Sequence, residues 1–131
     1  MSHASAGGDV CDATGYALRL RDDGTWDFEK ELKHPDSKVY STKAGFDAHL
    51  FGIKTIPLNR WIGMKFLVYN VDGGTHVKLE AYIDTVSDVS NSAPLNGGNW
   101  DLLGSMIDDG VNFPSGEISG CNTLTPNMAI T

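Results

Sequence analysis

Two adjacent segments of the chain, Trp61–Asn70 and Thr75–Asp84, alternate between apolar and polar side chains with a period of two. This alternation is typical of β-strands that bury one face. The linking residues Val71-Asp72-Gly73-Gly74 predict a turn, so the two strands are expected to form a hairpin. Its buried side is predicted to hold Ile62, Met64, Phe66, Val68, Val77, Leu79, Ala81 and Ile83.

The opposite side of this hairpin mixes aromatic rings with cations and acids, and its residues are Trp61, Gly63, Lys65, Leu67, Tyr69, His76, Lys78, Glu80, Tyr82 and Asp84. Rings stack on the faces of sugars, and charged groups form hydrogen bonds with hydroxyls. The pattern therefore favours a binding surface for an uncharged or acidic polyhydroxylated ligand. The alternative is the ordinary polar outer face of a one-sided antiparallel sheet.

A second hairpin is predicted from Tyr16–Arg21 and Thr25–Lys30. A three-residue loop, Asp22-Asp23-Gly24, sorts apolar and charged residues onto separate faces, whereas a two-residue loop mixes them. The chosen register opposes Leu20 to Trp26, Leu18 to Phe28 and Arg19 to Asp27, and it places Gly24 at a left-handed position. The four apolar residues are expected to share one core with the first hairpin, and the Arg19–Asp27 pair contributes little if it is exposed.

The remaining pattern is one of short strands and turns. Further strands are predicted at Lys38–Thr42, Ile53–Leu58, Trp100–Ile107 and Thr123–Thr131, with one weakly helical segment at Lys43–Leu50. Such spacing predicts an all-β fold, an antiparallel β-sandwich or jelly roll, in a single domain over residues 1–131.

Composition narrows the function classes. The net charge of −7 argues against nucleic acid, because phosphate binding requires concentrated Lys and Arg. No apolar run approaches the roughly 20 residues that span a bilayer, so no membrane is predicted as a partner. The 40% apolar content fits a folded domain of 131 residues with its own core.

The two cysteines, Cys11 and Cys121, lie in polar, Gly-rich segments near the two ends of the chain. This placement favours a disulfide between them over two buried thiols, and a disulfide implies an oxidising compartment. We therefore expect an extracellular or cell-surface protein, although the first residues show no signal peptide.

The remaining chemical motifs are few. Cys11 and Cys121 lack the spacing of a zinc site, so no metal ligands are predicted. No cofactor is predicted either. Calcium is left open by the acidic turns at Asp22-Asp23 and Asp108-Asp109, which otherwise cap hairpins. Lys30 and His34, near one strand end, suggest an acid, base or carboxylate anchor; the alternative is an ordinary polar strand exit.

Several segments resemble an archaeal and bacterial branch of the concanavalin A-like jelly-roll superfamily, which includes laminin-G-like, glucanase-like and alginate-lyase-like domains. The matching segments are Cys11–Tyr16, Phe28–Pro35, Asn59–Lys65, Val68–Asn70, Val77–Asp84, Asn99-Trp100, Ile107–Gly110 and Cys121. The resemblance implies a concave sheet that faces a polysaccharide. It also implies strands beyond both ends of this chain, which would then be the central part of a larger jelly roll.

On this basis we expect a lectin-like domain that binds a polysaccharide or oligosaccharide on one sheet face. The expected ligand-binding residues are Lys65, Tyr69, Lys78, Tyr82 and Trp61. The first alternative is a glycoside hydrolase or polysaccharide lyase, with Glu80, His34 and Lys30 as catalytic candidates. The second is a structural, self-assembling β protein, and incomplete sheet edges predict a homo-oligomer in either case.

Overall fold

A computed structural model of the chain describes residues 15–33, 37–40, 50–52, 55–59, 61–85 and 98–110. Within these ranges the chain is all-β, as predicted, and no described helix has the length and apolar character needed to cross a membrane. The strands are β1 (Gly15–Leu20), β2 (Trp26–Lys33), β3 (Ser37–Tyr40), β4 (Gly63–Val71), β5 (His76–Asp84) and β6 (Asp101–Asp108), and a short 3-10 helix spans Asp72–Gly74.

The first sheet has the strand order β1-β2-β3, and all of its pairs are antiparallel. The predicted hairpin register is confirmed, because Leu18 pairs with Phe28, and Leu20 with Trp26. The three-residue loop is also confirmed. Gly24 has φ 81°, and the Asp23 carboxylate accepts the Thr25 N–H at 2.9 Å, which fixes the turn.

The second sheet has the order β4-β5-β6, also antiparallel throughout. The β4–β5 turn passes through left-handed backbone at Asp72, Gly73 and Gly74, with φ of 52°, 69° and 93°. The β5–β6 pairing shifts between Ala81 and Tyr82, so Leu103 is an extra residue on β6 and forms a bulge. Each described sheet follows chain order, and the jelly-roll connectivity stays a prediction.

The two sheets meet through one apolar core. Phe28 of the first sheet stacks on Phe66 of the second with ring centroids 5.7 Å apart, and Trp26 contacts Phe28 edge-on at 5.5 Å. The Trp26 ring lies directly over Gly104, where an added methyl group would approach the ring to 3.0 Å. The apolar residues buried there are Tyr16, Trp26, Phe28, Val77, Leu79, Ala81, Ile83 and Met106.

Strand β4 is less buried than its alternation predicts. The pattern places Val68 in the core, but Val68 is 44% exposed; β4 lies at the edge of the described sheet, and the residues of its second half are mostly exposed. Phe66 is only partly buried and packs against the edge of the core. Leu18, Leu20, Met64 and Phe66 line an apolar cleft of about 270 Å³.

The Arg19–Asp27 pair is less exposed than the sequence suggested. Arg19 binds Asp27 in bidentate fashion, at 2.8 Å through Nε and 2.7 Å through Nη2, and Arg21 contacts the same carboxylate. Asp27 is 2% exposed. Burial raises the pKa of Asp27, but the hydrogen bonds from Arg19 and Arg21 outweigh it, so the pKa lies below its ordinary value.

The strand predicted over Ile53–Leu58 was wrong for the described residues 55–58, which lie outside any strand. Instead the Ile56 N–H donates to the Asp22 carbonyl at 2.9 Å, so this segment packs against the β1–β2 turn. The predicted strand Thr123–Thr131, and the helical segment Lys43–Leu50 except for Leu50 itself, lie outside the described residues.

Candidate functional site

The outer face of the second sheet, the side turned away from the core, brings together most of the residues predicted to bind a ligand. The β4–β5 register sets Lys65 opposite Tyr82, and Tyr69 opposite Lys78. Glu80 lies between them on β5. Because side chains alternate along a strand, all five lie on one face, as the sequence predicted.

A hydrogen-bonded network is centred on Glu80. Lys78 Nζ donates to Glu80 Oε1 at 2.9 Å, and the Tyr82 hydroxyl donates to Glu80 Oε2 at 3.0 Å. The hydrogen bond from Lys78 is the main cause that holds the pKa of Glu80 below its ordinary value. Both carboxylate oxygens are therefore held in place on the ionised group.

The two partners of Glu80 are affected in the opposite direction. The hydrogen bond to Glu80 raises the pKa of Lys78, and it raises the pKa of Tyr82 as well. Lys78 Nζ also lies 5.9 Å from the centroid of the Tyr69 ring, within the range of a cation–π contact. At neutral pH the network therefore contains one ammonium, one carboxylate and one neutral phenol.

Lys65 makes the second set of contacts on this face. Its Nζ lies 4.3 Å from the Tyr82 ring centroid and 4.8 Å from that of Trp100. Both distances are within cation–π range, so the ammonium is shared by two rings. Through Tyr82, this set is continuous with the Glu80 network.

Trp100 belongs to this surface, although the sequence pattern predicts it only as the start of a strand. It lies over Gly63, where an added Cβ would meet the ring at 3.0 Å. The Asp84 carboxylate accepts the Asn99 N–H at 2.7 Å, and Gly98 turns the chain with φ 77°. The available signal was Gly63 itself, because a glycine inside a strand marks a close approach by another group.

The same face also carries exposed apolar side chains, of which Leu67 was predicted on this side and Leu102 and Ile107 were not assigned to it. Leu67 lies opposite Glu80, Leu102 opposite Tyr82 and Ile107 opposite Lys78. Their exposures are 38%, 56% and 38%. Tyr69 is 41% exposed, and Trp61, which precedes β4, is 50% exposed. The surface is therefore amphipathic.

Two of the three catalytic candidates, Glu80 and Lys30, are described, and they do not come together. Glu80 lies on the outer face of the second sheet, whereas Lys30 is fully buried between the two sheets and pairs with Asp108. His34 lies outside the described residues, and so do Cys11 and Cys121, whose disulfide stays a prediction. Glu80 and Lys30 are thus on opposite sides of β5.

Within the described ranges, no three His, Cys, Asp or Glu side chains cluster as a metal site. The comparisons with protein-family models, curated proteins and solved structures gave no match. The likeness to concanavalin A-like domains therefore remains an expectation from sequence motifs.

Proposed function

We propose that the outer face of the second sheet binds an oligosaccharide or polysaccharide. The observation that carries the proposal is the joint placement of Tyr69, Tyr82 and Trp100 with Lys65, Lys78 and Glu80 on one sheet face. Sugars present apolar C–H faces beside rows of hydroxyls. A surface that alternates rings with fixed donors and acceptors suits both features.

The charges on this face favour particular sugars. The ligand-binding set contains two lysines and one glutamate, whereas the whole chain carries −7. Because Glu80 is already paired with Lys78, the Lys65 ammonium, which lies over two rings, favours neutral glycans or glycans with carboxylates over cationic ones. Since Glu80 is already bonded to Lys78 and Tyr82, its position is set before a ligand arrives, which lowers the entropic cost of binding.

The direct test is binding of the whole chain to an array of neutral and uronic-acid glycans, followed by calorimetric titration of any glycan retained. Tyr69→Ala is the informative variant, because Tyr69 is exposed on the proposed surface. Loss of its ring is expected to weaken binding about tenfold. The matched control is Leu58→Ala, which removes an 85% exposed side chain from a segment outside both sheets.

Thermal unfolding of each variant separates lost binding from lost folding. Tyr69→Ala is expected to retain the parent's unfolding temperature, since the side chain lies outside the core. Leu58→Ala is expected to bind as the parent does. If Tyr69→Ala also binds as the parent does, or if the parent binds no glycan on the array, this face is not the carbohydrate site.

A second candidate function is a polysaccharide-degrading enzyme, favoured by the lowered pKa of Glu80, because a nucleophile or base must be ionised. A retaining glycosidase also needs a second carboxylate about 5–5.5 Å away. Asp84 is the next acid along the same face of β5, but it is 2% exposed and accepts the Asn99 N–H. Binding is therefore the preferred proposal. Loss of sugar release in Glu80→Gln with binding retained would reverse this order.

A further inference from the structure

The most unusual chemical group in the structure lies between the sheets, away from the proposed carbohydrate surface. Lys30 Nζ on β2 is 2.6 Å from Asp108 Oδ2 on β6, and both side chains are 0% exposed. The Tyr16 hydroxyl donates to the same Asp108 oxygen at 2.5 Å. The Gly110 N–H donates to the other oxygen, Oδ1, at 3.0 Å.

Two buried neighbours of this pair are apolar. Phe28 precedes Lys30 by two residues on the same face of β2, and Val77 is the pairing partner of Asp108. Both are essentially fully buried. Two charges are costly in such a place, and a reaction between them that leaves one neutral group removes that cost.

We propose that Lys30 and Asp108 react to form an isopeptide bond. The Lys30 nitrogen attacks Asp108 Cγ, the N–C bond forms, and the Cγ–Oδ2 bond breaks. Oδ2 leaves as water, and both of its protons come from the Lys30 ammonium, which keeps one hydrogen as the amide N–H. The reaction releases no net proton and needs no oxidant or second substrate.

The hydrogen bonds on Asp108 correspond to the two roles that this reaction requires. Oδ1 carries the negative charge of the tetrahedral intermediate and remains as the amide oxygen, and the Gly110 N–H points at it. Oδ2 is the leaving oxygen, and the Tyr16 hydroxyl bonded to it can pass a proton during its departure. Tyr16 touches a reacting atom and is the catalytic residue of this proposal.

The product also resolves an energetic conflict in the core. A buried ion pair gains little over apolar packing, because two charges must be removed from water. An amide replaces both charges with one neutral group. It also ties β2 of the first sheet to β6 of the second, so the two sheets become covalently linked across the core.

The experiment is the intact mass of the full chain, reduced with thiol and denatured before measurement. We expect a mass lower than that of the sequence by one water. Lys30→Met is expected to show the full mass of its own sequence. Asp108→Asn is the matched control, because an asparagine forms the same amide with loss of ammonia. The cross-linked Asp108→Asn chain should therefore have the same mass as the cross-linked parent.

Cyclisation at an Asp-Gly sequence also removes one water, and Asp109-Gly110 lies beside the proposed bond. Fragmentation of a proteolytic digest distinguishes the two, since only the isopeptide joins a peptide containing Lys30 to one containing Asp108. Hydroxylamine opens the cyclic imide and leaves the amide intact. A parent chain with its full sequence mass after prolonged incubation in the folded state overturns the proposal, as does water loss confined to the imide.

The role of Tyr16 has its own readout. Tyr16→Phe keeps the ring and removes the hydroxyl, so cross-linking is expected to be about a hundredfold slower in a time course of intact mass after refolding. An unchanged rate would exclude Tyr16 from the reaction. The parent mass decides the main proposal even if a core variant fails to fold.

Discussion

Two lysine–carboxylate pairs, one on the outer face of the second sheet and one between the two sheets, show how burial changes the behaviour of the same pair of groups. Lys78 and Glu80 meet at 2.9 Å on the outer face, and Lys30 and Asp108 meet at 2.6 Å between the sheets. The outer pair keeps contact with solvent and suits reversible binding. The inner pair has no solvent, so its charges must be matched within the protein or removed by reaction.

The same contrast extends to the aromatic residues. The rings of Trp26 and Phe28 pack against each other in the core, and Phe28 stacks on Phe66 of the other sheet. Tyr82 and Trp100 instead hold the Lys65 ammonium on the outer face. The interior is therefore expected to determine the stability of the fold, and the outer face is expected to determine ligand recognition. The following predictions test this division.

The largest effect is expected for Lys30→Met. It leaves the Asp108 carboxylate buried without its cation, which typically costs about 3–5 kcal/mol, and any covalent link adds to the loss. Urea denaturation measures the change. The double variant Lys30→Met/Asp108→Leu removes both charged groups and should recover most of that loss. A single variant within 1 kcal/mol of the parent would show that the pair is not buried.

Phe28→Ala is expected to reduce the free energy of unfolding by about 3–5 kcal/mol, because Phe28 is 0% exposed and contacts aromatic rings on both sides. Phe66→Ala should fall below that range. Phe66 is only partly buried and borders an open cleft, into which neighbouring side chains can relax. Equal losses for the two variants would mean that the core is packed as closely at its edge as at its centre.

Gly104→Ala is expected to cost about 1–3 kcal/mol, because the new methyl group would lie 3.0 Å from the buried Trp26 ring. Gly15→Ala is the matched control, since an added Cβ at Gly15 meets no atom of the described residues within 4 Å. Differential scanning calorimetry compares the two. A tolerated Gly104→Ala would contradict the close contact between the sheets.

Asp27 gives an intermediate case, a nearly buried carboxylate bound by two arginines on the first sheet. Its pKa is lower in the folded chain than in the unfolded chain, so its stabilisation is complete above the unfolded pKa. That stabilisation is lost as the pH falls through the lower, folded-state value. Asp27→Asn should therefore flatten the acid limb of the stability curve and reduce stability at neutral pH. An unchanged acid limb would show that other carboxylates control acid unfolding.

The smallest effect on stability is expected for Glu80→Gln, but its spectroscopic effect is specific. The Glu80 carboxylate accepts the Tyr82 hydrogen bond and raises the pKa of Tyr82, so its neutralisation should let that tyrosine ionise at lower pH. Ultraviolet titration of the parent and the variant measures the difference, and Tyr82→Phe identifies the signal. Coincident titrations would show that the Glu80 network does not form in solution.

The local sequence pattern was sufficient to predict the two hairpins. Alternation placed Lys65, Tyr69, Lys78, Glu80 and Tyr82 on one face, and turn chemistry at Gly24 selected the register that pairs Leu18 with Phe28. Both predictions depend on residues that are close in sequence. Side chains alternate between the two faces of a strand, and the loop length determines which residues oppose each other.

The contacts between distant segments required the tertiary structure. Nothing near Lys30 in the sequence indicates that Asp108, 78 positions later, meets it in the core. Likewise, the Asn99–Asp84 hydrogen bond positions the segment that carries Trp100, and Gly63, which has no side chain, leaves room for the Trp100 ring beside Lys65. The sequence determined which side of each strand is apolar. Only the packing of one sheet on the other decided which polar side chains are buried, because their burial depends on contacts between strands that are far apart in the sequence.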